Sequence, residues 1–319
     1  MLLEAIKKAS SIAVGGHVRP DGDCVGSCMG VYQYVRDNFP DKEIQVYLEN
    51  IPNIFQFMKG ASHICHEIPG DKTYDLFIVL DCGDMQRLGF SAPLYESAKR
   101  TLCVDHHVSN QEFADENYIR PEASSTSELI YDLLDQEKIS KETAECLYTG
   151  LVHDTGVFRY SCTASSTMRA AAALMDKGID FTGIISRTFD EKTYAQNQVL
   201  GKALLESFLF MEGRCMVSSL TRKEMEFYQV EPKHLDGIVS QMKLTKGVDV
   251  AIFMYELETG LYKVSLRSSE GVDVSVVAQY FGGGGHKRAA GFSMNGTAHD
   301  VINNLSRRLA IQMKNRSDS

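Results

Sequence analysis

SIAVGGHVRPDGDCVGSCMG, residues 11–30, decides how the chain is read. The apolar run Ser11-Ile12-Ala13-Val14 predicts a buried strand, the polar loop GGHVRPDGD follows it, and a helix is expected from near Val25. A strand thus hands polar residues to a helix. The rhythm returns downstream, where EIQVYL (43–48), YDLFIVLD (74–81) and TLCVDHH (101–107) read as strands, with a helical or turn segment around Ile54 to Met58. An amphipathic helix over residues 2–9 precedes the first strand. SSTSELIYDLL opens on Ser125-x-x-Glu128, a capping box, and helices are expected over 140–153, 165–177 and 181–190. Short β-branched runs alternating with helices predict an α/β fold with a parallel sheet, in which ligands gather beyond the carboxyl ends of the strands.

At 319 residues the chain is long enough for about two domains. The rhythm changes after about residue 205: RCMVSSL, VDVAIFMYEL and LYKVSLRS resemble strands, with ETG turning between the last two. VDVSVVAQYF suits a helix stopping at Gly282, RAAGFSM a strand, and Thr297-x-x-Asp300 the start of a final helix. The expected organisation is a catalytic domain over 1–190, a helical linker over 191–207 and a smaller α/β domain over 208–319.

Thirty-three Lys and Arg against 42 Asp and Glu give a net charge of −9, which excludes a protein that wraps long nucleic acid electrostatically. Any phosphate must be met locally. No apolar run approaches the roughly 18 to 20 residues of a membrane span, and MLLEAIKKAS has no secretory apolar region, so the expected location is cytoplasmic, away from membranes. The eight cysteines are scattered with no CxxC pair, which predicts free thiols rather than a zinc knuckle; Cys24 and Cys28 share a helix face but lack a second pair.

Four segments place acids or imidazoles at the end of an element: His17-x3-Asp21-x-Asp23, Asp81 after FIVL, Asp105-His106-His107 after TLCV, and His153-Asp154 after a helical run. Singly, each has an ordinary explanation as turn, cap or core residue. Together, gathered at one edge of a parallel sheet, Asp21, Asp23, Asp81 and Asp154 carry four negative charges that repel unless cations sit among them. Two divalent ions match that charge, and mixed His and Asp ligands suit Mn²⁺ better than Ca²⁺. Two such ions, about 3.5 to 4 Å apart, can share a water, lower its pKa and neutralise a phosphate under in-line attack. The chain has no GxSxG elbow, so water rather than a side chain is the expected nucleophile.

HVRPDGDCVGS, VLDCGD, VDHH and LVHDTG resemble, in order, the four motifs of the DHH phosphoesterase superfamily. The resemblance implies one metal held by His17, Asp21 and Asp81 and a second by Asp23, Asp81, His106 and Asp154, with Asp81 bridging. It implies catalytic roles for Asp105, which would orient an imidazole, and for His107, which would face the substrate phosphate or leaving group. His153 is expected to pack or to support rather than to ligate.

Gly282-Gly283-Gly284-Gly285-His286 fits neither the dinucleotide nor the Walker A pattern, but bare backbone there could approach an anion closely. FGGGGHKRAAG, with VSLRS upstream, resembles the DHHA1 domain that follows the DHH domain in many relatives. The resemblance implies substrate contacts from Arg267, Ser268 and His286, with Gly283, Gly284 and Gly285 completing a phosphate pocket that faces the metals. It speaks against the family II pyrophosphatases, whose second domain differs. The compact stand-alone members cleave short RNA oligonucleotides to mononucleotides and remove a phosphate from 3′-phosphoadenosine 5′-phosphate (pAp), and two Mn²⁺ ions serving that chemistry are the expectation. The alternatives are hydrolysis of cyclic dinucleotides or linear pApA, and a non-enzymatic nucleotide-binding module, which would lack ligands that this chain has. An exposed apolar helix could pair two copies into a homodimer.

Overall fold

Five short strands and the helices on both their faces make up the first part of the protein. The structure is a computed structural model that describes residues 1–68, 70 and 72–314, and the chain divides into two units, Met1–Glu191 and Lys192–Ser319. Residues 315–319 of the expected second domain lie outside the described residues.

In the first unit α1 (Leu2–Lys8) leads to β1 (Ser11–Gly15), α2 (Gly22–Asn38), β2 (Glu43–Tyr47), β3 (Leu76–Leu80), α3 (Ala92–Ser97), β4 (Thr101–Asp105) and β5 (Glu116–Ile119). Helices α4 (Thr126–Leu133), α5 (Lys141–Asp154), α6 (Ser165–Met175) and α7 (Phe181–Ile185) complete it. The sheet order is β2-β1-β3-β4-β5 and every pairing is parallel. β3 and β4 are buried along their whole length, as parallel strands covered on both faces must be. Ile12, Val14, Ile78, Leu80, Leu102 and Val104 join one core with α2 and α5. The alternate residues Ala13, Phe77, Val79 and Cys103 pack on the other face with Leu94 and Tyr95 of α3.

Three details differ from the sequence reading for clear physical reasons. α2 starts at Gly22, earlier than Val25, because Asp21 caps it: its carboxylate accepts from the backbone N–H of Asp23 (3.2 Å) and Cys24 (3.1 Å). β5 was not foreseen, since ENYI is half-buried at the sheet edge and carries no apolar run. At the start of α4, Ser125 accepts from Glu128 N (3.0 Å), but the Glu128 carboxylate turns to Ser124 N (3.1 Å) and Thr167 Oγ1 (2.9 Å), tying α4 to α6 instead of closing a capping box.

The second unit runs α8 (Tyr194–Leu205), β6 (Phe208–Phe210), β7 (Cys215–Leu220), α9 (Arg222–Phe227), α10 (Ile238–Lys243), β8 (Val250–Glu258), β9 (Leu261–Ser268), α11 (Val274–Tyr280), β10 (Gly284–His286), β11 (Ala289–Asn295) and α12 (Ala298–Lys314). Its sheet, ordered β10-β11-β9-β8-β7-β6, is antiparallel except between β7 and β8. Val250, Ile252 and Met254 face a core shared with α11 and with Val301, Leu305 and Leu309 of α12. Ala251 and Phe253 face the opposite core, which takes in Val199 and Ala203 of α8, the helix expected within the linker. Among the described residues no helix is long and apolar enough to cross a membrane.

α2 and α5 cross at backbone contact. A Cβ on Gly26 would lie 2.6 Å from Cys146 O and 2.8 Å from Gly150 N, neither of which can swing aside. Gly26→Val is therefore expected to destabilise the first unit by at least about 2 kcal/mol, measured by urea unfolding.

Candidate metal centre

The carboxyl ends of β1, β3 and β4 lie side by side, and the strand order reverses direction between β1 and β3, where α/β sheets open a crevice. His17 follows β1, Asp81 follows β3 directly, and Asp105 is the last residue of β4 with His106 and His107 next. Asp21 and Asp23 stand at the start of α2 and Asp154 is the last residue of α5.

These side chains converge. His17 Nε2 lies 3.6 Å from Asp21 Oδ2 and 3.5 Å from Asp81 Oδ2. His106 Nε2 lies 3.5 Å from Asp81 Oδ1 and 3.1 Å from Asp154 Oδ2. Asp81 thus faces both imidazoles, one with each oxygen, and ligating atoms of Asp23, His106 and Asp154 lie within 4.8 Å of one another. Asp81 holds φ at +54°, a left-handed conformation rare outside glycine, which its buried surroundings must enforce. His17 Nδ1 donates to Val18 O (2.9 Å), so Nε2 is the nitrogen that offers a lone pair once the ring is deprotonated.

Asp23 is fully buried, and its oxygens accept from Thr126 N (2.6 Å) and Ser127 N (2.9 Å) in the first turn of α4, the positive end of that helix. Thr126 Oγ1 also donates to Asp81 Oδ1 (3.0 Å). Gly150 makes room for this arrangement: a Cβ there would lie 1.9 Å from Ser127 Oγ and 2.6 Å from Asp23 Oδ1. Asp105, also fully buried, accepts from His107 Nδ1 (2.7 Å) and Asn110 Nδ2 (2.7 Å), so His107 turns its Nε2 edge away from Asp105.

Protein charges alone leave the cluster unbalanced. Burial, then the Asp81 and Asp154 carboxylates, push the Asp23 pKa well above the usual range, and burial also raises Asp154 despite the opposing pull of His106. Burial disfavours the charged form of His17, yet Asp21 and Asp81 outweigh it and take its pKa to about 11. His106 behaves likewise, reaching about 10 against its burial through Asp154, Asp23 and Asp81. Protons are held here by carboxylates crowded beyond what their surroundings can neutralise, and mixed nitrogen and carboxylate donors fit a transition-metal dication.

Cys24 groups with His17 and Asp81, but burial raises its thiol pKa well above the ordinary value, which keeps it a neutral neighbour. His153 packs edge-on to Phe55 (5.0 Å between centroids) and against Phe189 (4.8 Å), and a Cβ on Gly22 would lie 2.2 Å from its ring. Burial lowers its pKa to about 4, so it stands there as a neutral ring. Sequence reasoning missed Thr126, Ser127, Asn110 and Gly150; the capping signal at Ser125 marked the right helix start without saying which carboxylate it meets.

In the second unit Arg267 pairs with Ala289, and Ala289 with His286, across β9, β11 and β10. Residues directly opposite share a face, so Arg267 and His286 stand on one side of the sheet with only a methyl group between them. Ser268 is buried and its hydroxyl donates to Val272 O (2.7 Å), bracing the turn after β9. The glycine run is no loose loop: Gly284 and Gly285 are in β10, and a Cβ on Gly283 would lie 2.2 Å from Gly291 O.

The chain matches the DHH family, N-terminal domain, over residues 11–151 and the DHHA1 domain over residues 213–314. It is 29% identical over 294 residues to the probable bifunctional oligoribonuclease and PAP phosphatase NrnA of Streptococcus mutans, covering 91% of each chain. It is 28% identical to the cyclic-di-AMP phosphodiesterase PdeA of Listeria monocytogenes, over 89% of this chain and 45% of that one. The crystal structure of an exopolyphosphatase-related protein from Bacteroides fragilis is similar with a TM-score of 0.85 at 26% identity, over 98% of this chain and 96% of that one.

The shifted imidazoles set a pH dependence. His17 and His106 titrate at about 11 and about 10 when folded, above the 6.5 of a free imidazole, so the stability they give the metal-free chain is complete below about pH 6.5 and is lost as pH rises through their folded values. A cation needs these rings unprotonated and displaces the same protons. Thermal melts from pH 6 to 8.5 should show the increment in Tm on adding Mn²⁺ growing with pH; a constant increment would count against cation binding at these imidazoles.

Proposed function

The chain belongs to the DHH/DHHA1 phosphoesterases, metal-dependent hydrolases, and from that premise we propose that it cleaves short RNA oligonucleotides to mononucleotides and converts pAp to AMP and phosphate. The observation that carries this reading is the convergence of His17, Asp21, Asp23, Asp81, His106 and Asp154 at one edge of the parallel sheet.

In this reading His17, Asp21 and Asp81 would hold one divalent ion and Asp23, Asp81, His106 and Asp154 a second; Mn²⁺ is the ion proposed. The chemistry the ions supply when bound is activation of water and neutralisation of charge on the phosphate. The protein's own groups do the rest. The α4 N-terminus fixes Asp23, Val18 O fixes the His17 tautomer, and Thr126 steadies Asp81. Asp105 grips His107 Nδ1 and raises its pKa, so His107 Nε2 is suited to give a proton to the departing ester oxygen as the P–O bond breaks.

Arg267 and His286, on one face of the second sheet, are proposed to hold a terminal phosphate of the substrate, the Gly283–Gly285 backbone contributing N–H groups. Ser268 supports this site by bracing the turn, with its own proton already donated. A terminal phosphate is common to pAp and to 5′-phosphorylated RNA fragments, which accounts for both as substrates. The Listeria relative favours a second reading, hydrolysis of linear or cyclic dinucleotides, within the same chemistry.

Rates with RNA dimers to pentamers, pAp, pApA, cyclic di-AMP and pyrophosphate at fixed manganese test the reading. Short RNA and pAp should lead, and Asp81→Asn should lose turnover of all of them by at least about a thousandfold; a lead for the cyclic dinucleotide or pyrophosphate would overturn the choice of substrate. Arg267→Ala should raise KM for pAp about tenfold or more while bound manganese is unchanged. Loss of the metal with that substitution would sink the assignment of Arg267 to substrate.

A further inference from the structure

Beside the candidate centre the first unit carries an open cavity of about 630 Å³, lined by Arg19, Pro20, Glu49, Asn50, His66 and Phe90 among others. Arg19 and Pro20 fall between His17 and Asp21, so one wall of the cavity is the very loop that carries two candidate ligands. The other walls follow β2, through Glu49 and Asn50, and β3, through Phe90. All three strand extensions leave the same carboxyl edge of the sheet.

The loop is held on both sides. Val18 N donates to Arg87 O (2.7 Å) and Arg19 N to Glu49 Oε2 (2.7 Å), with Arg19 in a left-handed conformation at φ +55°. Gly89 lets the β3 extension close on it, since a Cβ there would lie 2.5 Å from Val18 Cγ1. The cavity is therefore a built feature of the metal-bearing edge, tied to the loop that spaces His17 from Asp21.

Its size falls in the range of small-molecule sites and suits a nucleoside. Phe90 offers a half-buried aromatic ring and Pro20 a buried apolar wall, while Asn50 presents an exposed amide with both donors and an acceptor. Arg19 is exposed and has no acidic partner for its guanidinium among the described residues. His66 gives Nδ1 to Leu48 O (2.8 Å) and keeps Nε2 unbonded. A flat apolar surface, a hydrogen-bonding edge and a guanidinium with no ion pair of its own, beside the Glu49 carboxylate that holds the Arg19 backbone, together suit a base beside a phosphate.

We propose that this cavity is a nucleoside subsite: it receives the base of the nucleotide whose phosphate lies at the metal centre, stacked on Phe90 with its edge towards Asn50, while Arg19 meets the phosphate backbone. The proposal rests on the phosphoesterase reading and adds the part of the first unit that recognises the base.

The test compares phosphate release from pAp with that from its abasic counterpart, 1,2-dideoxyribose 3,5-bisphosphate, in the manganese-loaded full chain. The wild-type protein should favour pAp in kcat/KM, and Phe90→Ala should cut that preference about tenfold, mostly through KM. Phe90→Tyr, which keeps a stacking ring, should retain it. Equal preference for both substrates in the wild type, or a preference that Phe90→Ala leaves within about twofold, overturns the subsite while leaving the phosphoesterase reading intact. No release from either substrate overturns that reading, and the subsite with it.

Discussion

Like charges buried at close quarters govern the first unit. Asp23, Asp81 and Asp154 crowd around His106 with their carboxylates largely removed from water, and protein groups alone answer this only by raising pKa values and retaining protons. A fold selected for stability alone would not gather them. Their positions are nevertheless enforced, by the first turn of α4 on Asp23, by Thr126 on Asp81 and by a left-handed backbone at Asp81 itself. Structure that works this hard to keep anions together is preorganised for cations, and the mixed imidazole and carboxylate donors narrow which cations suit it.

The two sheets solve different problems. The all-parallel sheet places every strand end on one edge, so that short loops deliver His17, Asp81 and the Asp105-His106-His107 run to a common point. Glycines at the crossing of α2 and α5 then let Asp23 and the start of α4 approach from behind. The largely antiparallel sheet of the second unit instead uses register: pairing across β9, β11 and β10 sets a guanidinium and an imidazole on one face with alanine between. That register, and not a shared strand end, is what puts the two side chains together.

Much of this was legible in the sequence because the informative residues end apolar runs. FIVL before Asp81 and TLCV before Asp105 announce buried strands, so the polar residue that follows each must lie at a strand end. Thr126, Ser127 and Gly150 were illegible for the opposite reason, since Thr126 and Ser127 meet Asp23 more than a hundred positions away and no local pattern encodes that contact. β5 hides because its residues are polar, and the short helices α9 and α10 are too brief to display a period. Ser268 shows a finer limit: its position next to Arg267 was evident, but only the coordinates reveal that its proton already goes to Val272 O.

Asp154 closes α5, far along the chain from His17, and this order has a consequence for biosynthesis. A nascent polypeptide emerging from the ribosome exposes the β1 loop early, yet the cage for cations stays incomplete until the whole of α5 has been released and has docked across α2. No truncated fragment ending before α5 carries the full set of donors. Assembly of the full donor set is in this way deferred to a finished domain.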